Sequence, residues 1–354
     1  MKKCINSPES FVNEFLEGFE RAHSEDIIYH RDPPYLYRKK FPNKVALISG
    51  GGSGHEPMHG GFVGMGMLDA ACPGHVFTSP TPDQLVEAVK QLNAKKGTLF
   101  IVKNYTGDLM NFQMAIEILD AEGFQVDFVI IDDDIAVKDS FFTAGRRGTG
   151  TTVLLEKICG AAAEQGASLK EIKELALEIS IRGRSMGIAL SSCTVPASGK
   201  PSFELREGEI EVGIGIHGEP GRERSKLSSA DELSHILVHS ILSDASYTRN
   251  HPVWDEDTKT WKEESITSLP LKQGDEVIAF VNGLGGTPIA EQYLLFGKVA
   301  QLIQERGLTI SRSLVGSYMT SLDMMGITLT LLKIDNKWLK LWDAPVYTPA
   351  LKWS

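Results

Sequence analysis

Short apolar runs that stop abruptly on polar or glycine-rich residues recur along the first half of the chain, at Lys44 to Ile48, Thr98 to Val102 and Val126 to Ile131. Each is too short for an ordinary helix and is rich in β-branched residues, so each reads as a buried strand. Between them the apolar spacing changes to that of a helix. Ser7-Pro8-Glu9-Ser10 forms a helix start ahead of Phe11, Phe15 and Phe19, and Thr81-Pro82-Asp83 opens a second helix with Leu85, Val86, Val89 and Leu92 on one face. A third helical pattern carries Phe112, Ala115, Ile116 and Leu119, and two more run from Val153 through Ala163 and from Ser168 to Ile181. Arg31 to Pro42, rich in Pro, Tyr and basic residues, reads as an extended connection. Strand, polar tip and helix in succession predict a parallel α/β sheet, whose ligands sit beyond the carboxyl ends of the strands.

The second half is less regular. Met186 to Val195 is apolar, and Phe203 to Leu205 with Glu211 to Ile216 read as antiparallel strands around Glu207-Gly208. A helix through Leu233, Ile236, Leu237 and Ile241 precedes a polar insert around Trp254 and Trp261. A strand from Val277 to Val281 leads through a glycine-rich turn into a helix from Ile289 to Gln304. Met325 to Ile334 reads as a strand, with Trp338 to Trp342 pairing beside it. The fold class is α/β, with two α/β domains, each a sheet flanked by helices. Their expected bounds are 1–183 and 184–354, meeting near Arg182-Gly183.

Composition narrows the function. A net charge of −10 argues against nucleic acid or an anionic membrane surface as the main partner. Cys4, Cys72, Cys159 and Cys193 are scattered, with no Cys-x-x-Cys pair, so neither a zinc site nor a disulfide framework is signalled. No leader pattern opens the chain, and no apolar run is long enough to span a bilayer. A soluble cytoplasmic protein is expected.

The candidate chemistry lies at the strand ends. Ile48-Ser49-Gly50-Gly51-Gly52-Ser53-Gly54-His55-Glu56-Pro57 lets backbone approach a small ligand and places His55 at the rim of a glycine loop. It lacks the Lys-Ser/Thr of a P-loop and the spacing of a dinucleotide fingerprint, and it equally suits a tight turn with a solvated histidine. Lys103 and Asp108 follow the next strand, where they could share the cleft or form a surface ion pair. His217 stands in a second glycine-rich loop, either as a nucleophile toward a carbonyl or as a hydrogen-bonded loop residue. Asp132, Asp133 and Asp134 could bind a hard cation or serve as solvated or helix-capping groups.

Nine runs, SGGGSGHEP, CPGHVFTSPTPD, VKNYTGDLMNF, VIIDDDIAVKDS, AGRRGTG, CTVPASGKPSF, VGIGIHGEPG, SLDMMGITLTLL and LWDAPVYTPAL, together resemble the dihydroxyacetone-binding subunit of the dihydroxyacetone kinases. The resemblance covers almost the whole chain. It implies a homodimer that binds dihydroxyacetone covalently, as a hemiaminal on His217, with His55 as catalytic base and Asp108 as its partner near the reacting hydroxyl. It further implies Gly52, Ser53, Gly54 and Lys103 as substrate contacts, with Ser79 a weaker candidate, and no metal site in this chain. Relatives that use ATP directly carry a further nucleotide domain after this region, whereas this sequence stops at Lys352-Trp353-Ser354. The resemblance is therefore to the phosphoenolpyruvate-dependent type, with no cofactor in this chain. ADP and Mg²⁺ are expected on a separate kinase subunit, recharged by a phosphohistidine carrier protein of the phosphotransferase system. A dihydroxyacetone-sensing co-regulator without kinase activity is the alternative. Retention of both His55 and Asp108 favours the enzyme.

Overall fold

A computed structural model describes residues 2–136, 145–255 and 257–354. Residues 137–140, at the end of the VIIDDDIAVKDS run, and Ala144 of the AGRRGTG run lie outside the described residues. The first half contains α1 (Phe11–Ala22), β1 (Ile27–Arg31), β2 (Pro34–Arg38), β3 (Ala46–Ser53), β4 (Ala70–Val76), α2 (Pro82–Leu92), β5 (Thr98–Lys103), α3 (Thr106–Ala121), β6 (Val126–Ile131), α4 (Thr151–Glu164) and α5 (Leu169–Arg182). The three apolar runs become β3, β5 and β6, which pair in parallel with one another and with β4 in the sheet β1-β2-β4-β3-β5-β6. Every residue of β3 and β5 is buried, as expected of parallel strands covered on both faces. The expected extended connection is instead part of an antiparallel hairpin, β1 and β2. Tyr35 and Leu36 bury there, and Pro34 is tolerated because it stands at the first position of its strand.

The second half contributes β7 (Gly183–Ala189), β8 (Glu209–Val212), β9 (Glu223–Lys226), α6 (Ala230–Leu242), β10 (Tyr247–Asp255), β11 (Thr260–Ser268), β12 (Glu276–Gly283), α7 (Ile289–Glu305), β13 (Thr309–Gly316), β14 (Gly326–Lys333) and α8 (Asn336–Asp343). Its mixed sheet runs β13-β12-β14-β7-β8-β9, with β12 and β13 parallel and the other pairs antiparallel. The expected pairing of Phe203–Leu205 with Glu211–Ile216 is not found. The antiparallel partner of β8 is β9, and the chain leaves the sheet at Gly213, whose φ of 85° turns it into the loop that carries His217. Trp338 to Trp342 is not a strand either. The Asp335 carboxylate caps the N–H groups of Lys337 and Trp338 at 2.9 and 3.0 Å, and Trp338, Leu341 and Trp342 bury one face of α8 at helical spacing.

Helix α4 joins the halves. Thr151 through Ala163 are all buried, so this helix is covered all round rather than on one stripe. It touches β3 and β5 of the first sheet and β7 and β14 of the second. Val45, Leu47 and Leu99 share one hydrophobic cluster with Phe280, Leu332 and Trp338. Helices α2 and α3 cover the other face of the first sheet, and α6 and α7 the other face of the second.

The Trp-containing insert is the hairpin β10–β11, in which Trp254 faces Trp261. It reaches the first sheet through Trp261, edge-on to Phe128 at 5.4 Å, and through His251, stacked on Phe128 at 5.6 Å. Burial, with Arg249 beside it, pushes the His251 pKa down to about 3. An unfolded histidine titrates near 6.5, so below that pH the unfolded chain binds the extra proton and the native state loses stability as pH falls toward 3. Each such group contributes a slope of about 1.4 kcal/mol per pH unit. Chemical denaturation between pH 7 and 5 is expected to show stability falling with acid. The slope should be shallower in His251→Gln, and equal slopes would mean that this ring already accepts a proton in the hairpin.

Candidate active site

The carboxyl ends of β3 and β5 and the loop after β8 converge. Gly52, Phe77, Ser79, Tyr105, Asp108, His217 and Glu219 line a pocket of about 450 Å³ between them. Gly52 brings the glycine run at the end of β3 to its wall. Residues from the second half clamp this run, with the Thr320 and Leu322 amides donating to the His55 and Gly54 carbonyls at 3.1 and 2.8 Å.

His55 is not at a rim but buried, with 1% of its surface exposed. Its Nδ1 lies 2.8 Å from the Thr320 carbonyl, its ring stacks on Phe77, and its ring centroid stands 4.7 Å from that of His217. A carbonyl can only accept, so Nδ1 carries the proton and Nε2 keeps its lone pair. Nε2 is buried without a hydrogen-bond partner among the described residues. Burial first, and then His217 and Lys103, hold the imidazole pKa well below its ordinary value. The group is a neutral acceptor beside the His217 ring.

Lys103 ends β5, and Asp108 sits in the first turn of α3, where the helix N-terminus favours a carboxylate. Both are buried, and Lys103 Nζ stands 4.0 Å from Asp108 Oδ2, so the alternative of a surface ion pair is excluded. Burial raises the Asp108 pKa, opposed by the Lys103 ammonium, the Ser79 hydroxyl and His217. The carboxylate is therefore a stronger proton acceptor than an exposed aspartate while remaining paired with a cation.

His217 enters from the opposite wall. Its Nδ1 is 3.3 Å from Glu219 Oε1, and its backbone amide donates to Glu219 Oε2 at 2.9 Å. The Glu219 pKa falls to about 2 because His217 and Arg147 outweigh the burial that would raise it. A carboxylate at Nδ1 takes that nitrogen's proton in a hydrogen bond and leaves the Nε2 lone pair for the pocket. Tyr105 and Phe77 meet the ring edge to face at 4.4 and 5.2 Å, fixing its plane.

Of the residues singled out in the sequence, Gly52, Ser79, Asp108 and His217 line the pocket. His55 and Lys103 stand directly behind them. Ser53 and Gly54 are committed elsewhere, the Ser53 hydroxyl to the Gly74 carbonyl at 2.7 Å and the Gly54 amide to the Glu56 carboxylate at 3.0 Å. Asp132, Asp133 and Asp134 serve as ion-pair and capping groups. Asp133 accepts from the Thr149 and Thr151 amides at the start of α4, Asp134 pairs with Arg147, and Asp132 pairs with Arg249. Among the described residues no group of three or more His, Cys, Asp or Glu could hold a metal ion, and no helix is long and apolar enough to cross a membrane.

Sequence reasoning missed Tyr105, Phe77 and Glu219. Glu219 had a signal, since His217-Gly218-Glu219-Pro220 repeats the His-Glu-Pro composition of the first loop. Tyr105 lies between Lys103 and Asp108, already marked at their strand end.

The family described as the Dak1 domain matches residues 17–350. The chain is 52% identical to the dihydroxyacetone-binding subunit of the PEP-dependent dihydroxyacetone kinase of Escherichia coli (strain K12), over 100% of each sequence. Among solved structures, a dihydroxyacetone kinase operon co-activator superposes with a TM-score of 0.83 at 36% identity, over 95% of this chain and 96% of that one. The dihydroxyacetone kinase of C. freundii superposes with a TM-score of 0.82 at 31% identity, over 98% of this chain and 60% of that one.

Proposed function

Because the chain belongs to the Dak1 domain family, we propose that it captures dihydroxyacetone as a hemiaminal on His217 and presents a terminal hydroxyl to a separate phosphoryl-donor subunit. At the coarser level it is a dihydroxyacetone kinase subunit, a phosphotransferase. The observation that carries the finer reading is the opposition across one pocket of a histidine held at Nδ1 by Glu219 and a buried carboxylate, Asp108. The Nε2 lone pair adds to the ketone carbon, the carbonyl oxygen gains a proton, and the Nδ1 proton beside Glu219 is the one released. Capture needs a carbonyl, so glycerol, close to dihydroxyacetone in size and hydroxyl content, is rejected by chemistry where shape would discriminate weakly. A hydroxyl of the fixed ketose then attacks the donor phosphorus as its proton passes to the pair formed by His55, the catalytic base, and Asp108, its partner near the reacting hydroxyl. ADP and Mg²⁺ on the donor subunit, a phosphohistidine carrier that recharges it, and a homodimeric state complete the proposal.

The similarity to an operon co-activator supports a second reading, a dihydroxyacetone sensor that binds without phosphorylating. One assay separates the two. The pure chain is expected to bind dihydroxyacetone and to give no turnover with ATP, and to yield dihydroxyacetone phosphate when phosphoenolpyruvate, the carrier proteins and a donor subunit are added. Turnover by the pure chain with ATP would refute the separate-donor reading. Binding without turnover under any donor would establish the sensor.

A further inference from the structure

Behind the pocket lies a row of buried titratable groups that the proposed chemistry does not use. Lys103 Nζ is 3.1 Å from the Gly50 carbonyl and 2.8 Å from His59 Nε2, and His59 Nδ1 is 2.7 Å from Glu156 Oε1. Lys103 and Glu156 are fully buried and His59 is 7% exposed. The glycine run makes room for this arrangement, because a Cβ at position 51 would collide with Lys103 Nζ. Helix α4 supplies the far end of the row. Its next residue, Lys157, is satisfied separately by the Leu341 carbonyl at 2.8 Å.

Hydrogen bonding fixes where the protons are. With Lys103 as an ammonium, which has three donors and no acceptor, His59 Nε2 accepts from it and the ring proton stands on Nδ1, facing Glu156. Two of the Lys103 hydrogens are thereby held by Gly50 and His59. The third is left for the side on which Asp108 stands.

We propose that Glu156, acting through His59, is a positioning residue for the phosphoryl transfer, keeping Lys103 protonated and turned toward Asp108. The proposal rests on the catalytic reading above. Its physical basis is a chain of compensating charges in a buried region, where an uncompensated ammonium would shed its proton. Burial lowers the Lys103 pKa, and Asp108 and Glu156 push it back up. Burial raises the Asp108 pKa, and Lys103 is the strongest influence against it. Burial likewise drives the Glu156 carboxyl well up, and the same ammonium opposes it. His55 and His59 also face Lys103, whose charge helps to keep both rings neutral. Replacing the Glu156 carboxyl therefore removes the acceptor that keeps the His59 proton on Nδ1, and with it the Nε2 lone pair that holds the Lys103 ammonium beside Asp108.

The test measures kcat and KM against pH for the chain with its donor subunit, as wild type, Glu156→Gln and Glu156→Asp. Glu156→Gln, whose amide presents a donor to His59 as readily as an acceptor, is expected to move the alkaline limb of kcat down by about one pH unit or more, the usual scale for losing a partner that favours the charged form. Covalent capture on His217 should persist, and Glu156→Asp should restore most of the shift. A uniform fall in kcat with the limb unmoved would make Glu156 a packing residue and overturn the proposal. If Glu156→Gln does not fold, ¹⁵N spectra of histidine-labelled wild type decide, with His59 expected to carry its proton on Nδ1 alone. A proton on His59 Nε2 would overturn it. Absence of wild-type turnover with every donor would instead strike the catalytic reading.

Discussion

His217→Ala is expected to bind dihydroxyacetone only as an unaltered ketone and to lose the preference for dihydroxyacetone over glycerol. The wild type should show a tetrahedral signal from ketose labelled at its central carbon, because addition of Nε2 converts a trigonal carbon into a tetrahedral one. The geometry makes this a prediction about a bond. Glu219 holds Nδ1, Tyr105 and Phe77 fix the ring plane, and the pocket lies on the remaining side of the imidazole. An alanine keeps the pocket's other walls and removes the nucleophile. Residual affinity should then reflect hydroxyl contacts alone, which distinguish dihydroxyacetone and glycerol weakly. Glu219→Gln should give an intermediate result, since its amide can still orient the ring but cannot stabilise the charge that develops at Nδ1 during addition. A trigonal bound carbon in the wild type, or an alanine variant that still rejects glycerol, would assign selectivity to pocket shape.

The parallel half of the fold was legible because its strands are buried on both faces and read as unbroken apolar runs ending on polar residues. The mixed sheet was less so. Glu209–Val212 is a short strand whose partner, Glu223–Lys226, is exposed and charged, with no apolar pattern to announce it. The α8 segment misled for a different reason, since Trp338, Leu339, Leu341 and Trp342 crowd around a single Lys340 and imitate a short apolar strand until the Asp335 cap is recognised. In the site, the residues on glycine loops and strand tips stood out. What sequence could not supply was burial: nothing local shows that His55 is enclosed by Thr320 and Phe77, or that Lys103 and Asp108 are shielded from water. Glu156 was hidden inside a helical run and meets His59 only through a long-range contact.

Asp108→Asn and His55→Asn are each expected to leave the tetrahedral signal largely intact while lowering turnover by roughly 10²-fold or more, the scale for removing a positioned proton-transfer group. The separation of effects follows from where these groups stand. Neither is bonded to His217 or Glu219, yet Asp108 lines the opposite wall and His55 presents a buried, unpartnered Nε2. Asparagine at position 108 matches the carboxylate in size and can still hydrogen-bond, but it cannot accept a proton from the hydroxyl as that oxygen attacks phosphorus. It also leaves the Lys103 ammonium without its counter-charge on that side, so part of the loss should appear as a changed pH profile. At position 55 the amide can still donate to the Thr320 carbonyl, so the glycine loop should stay in place while the imidazole acceptor is lost. Normal turnover in both variants with an active donor subunit would remove these residues from proton transfer. Loss of the tetrahedral signal in either would show that it shapes the capture site, with its effect on rate secondary to that.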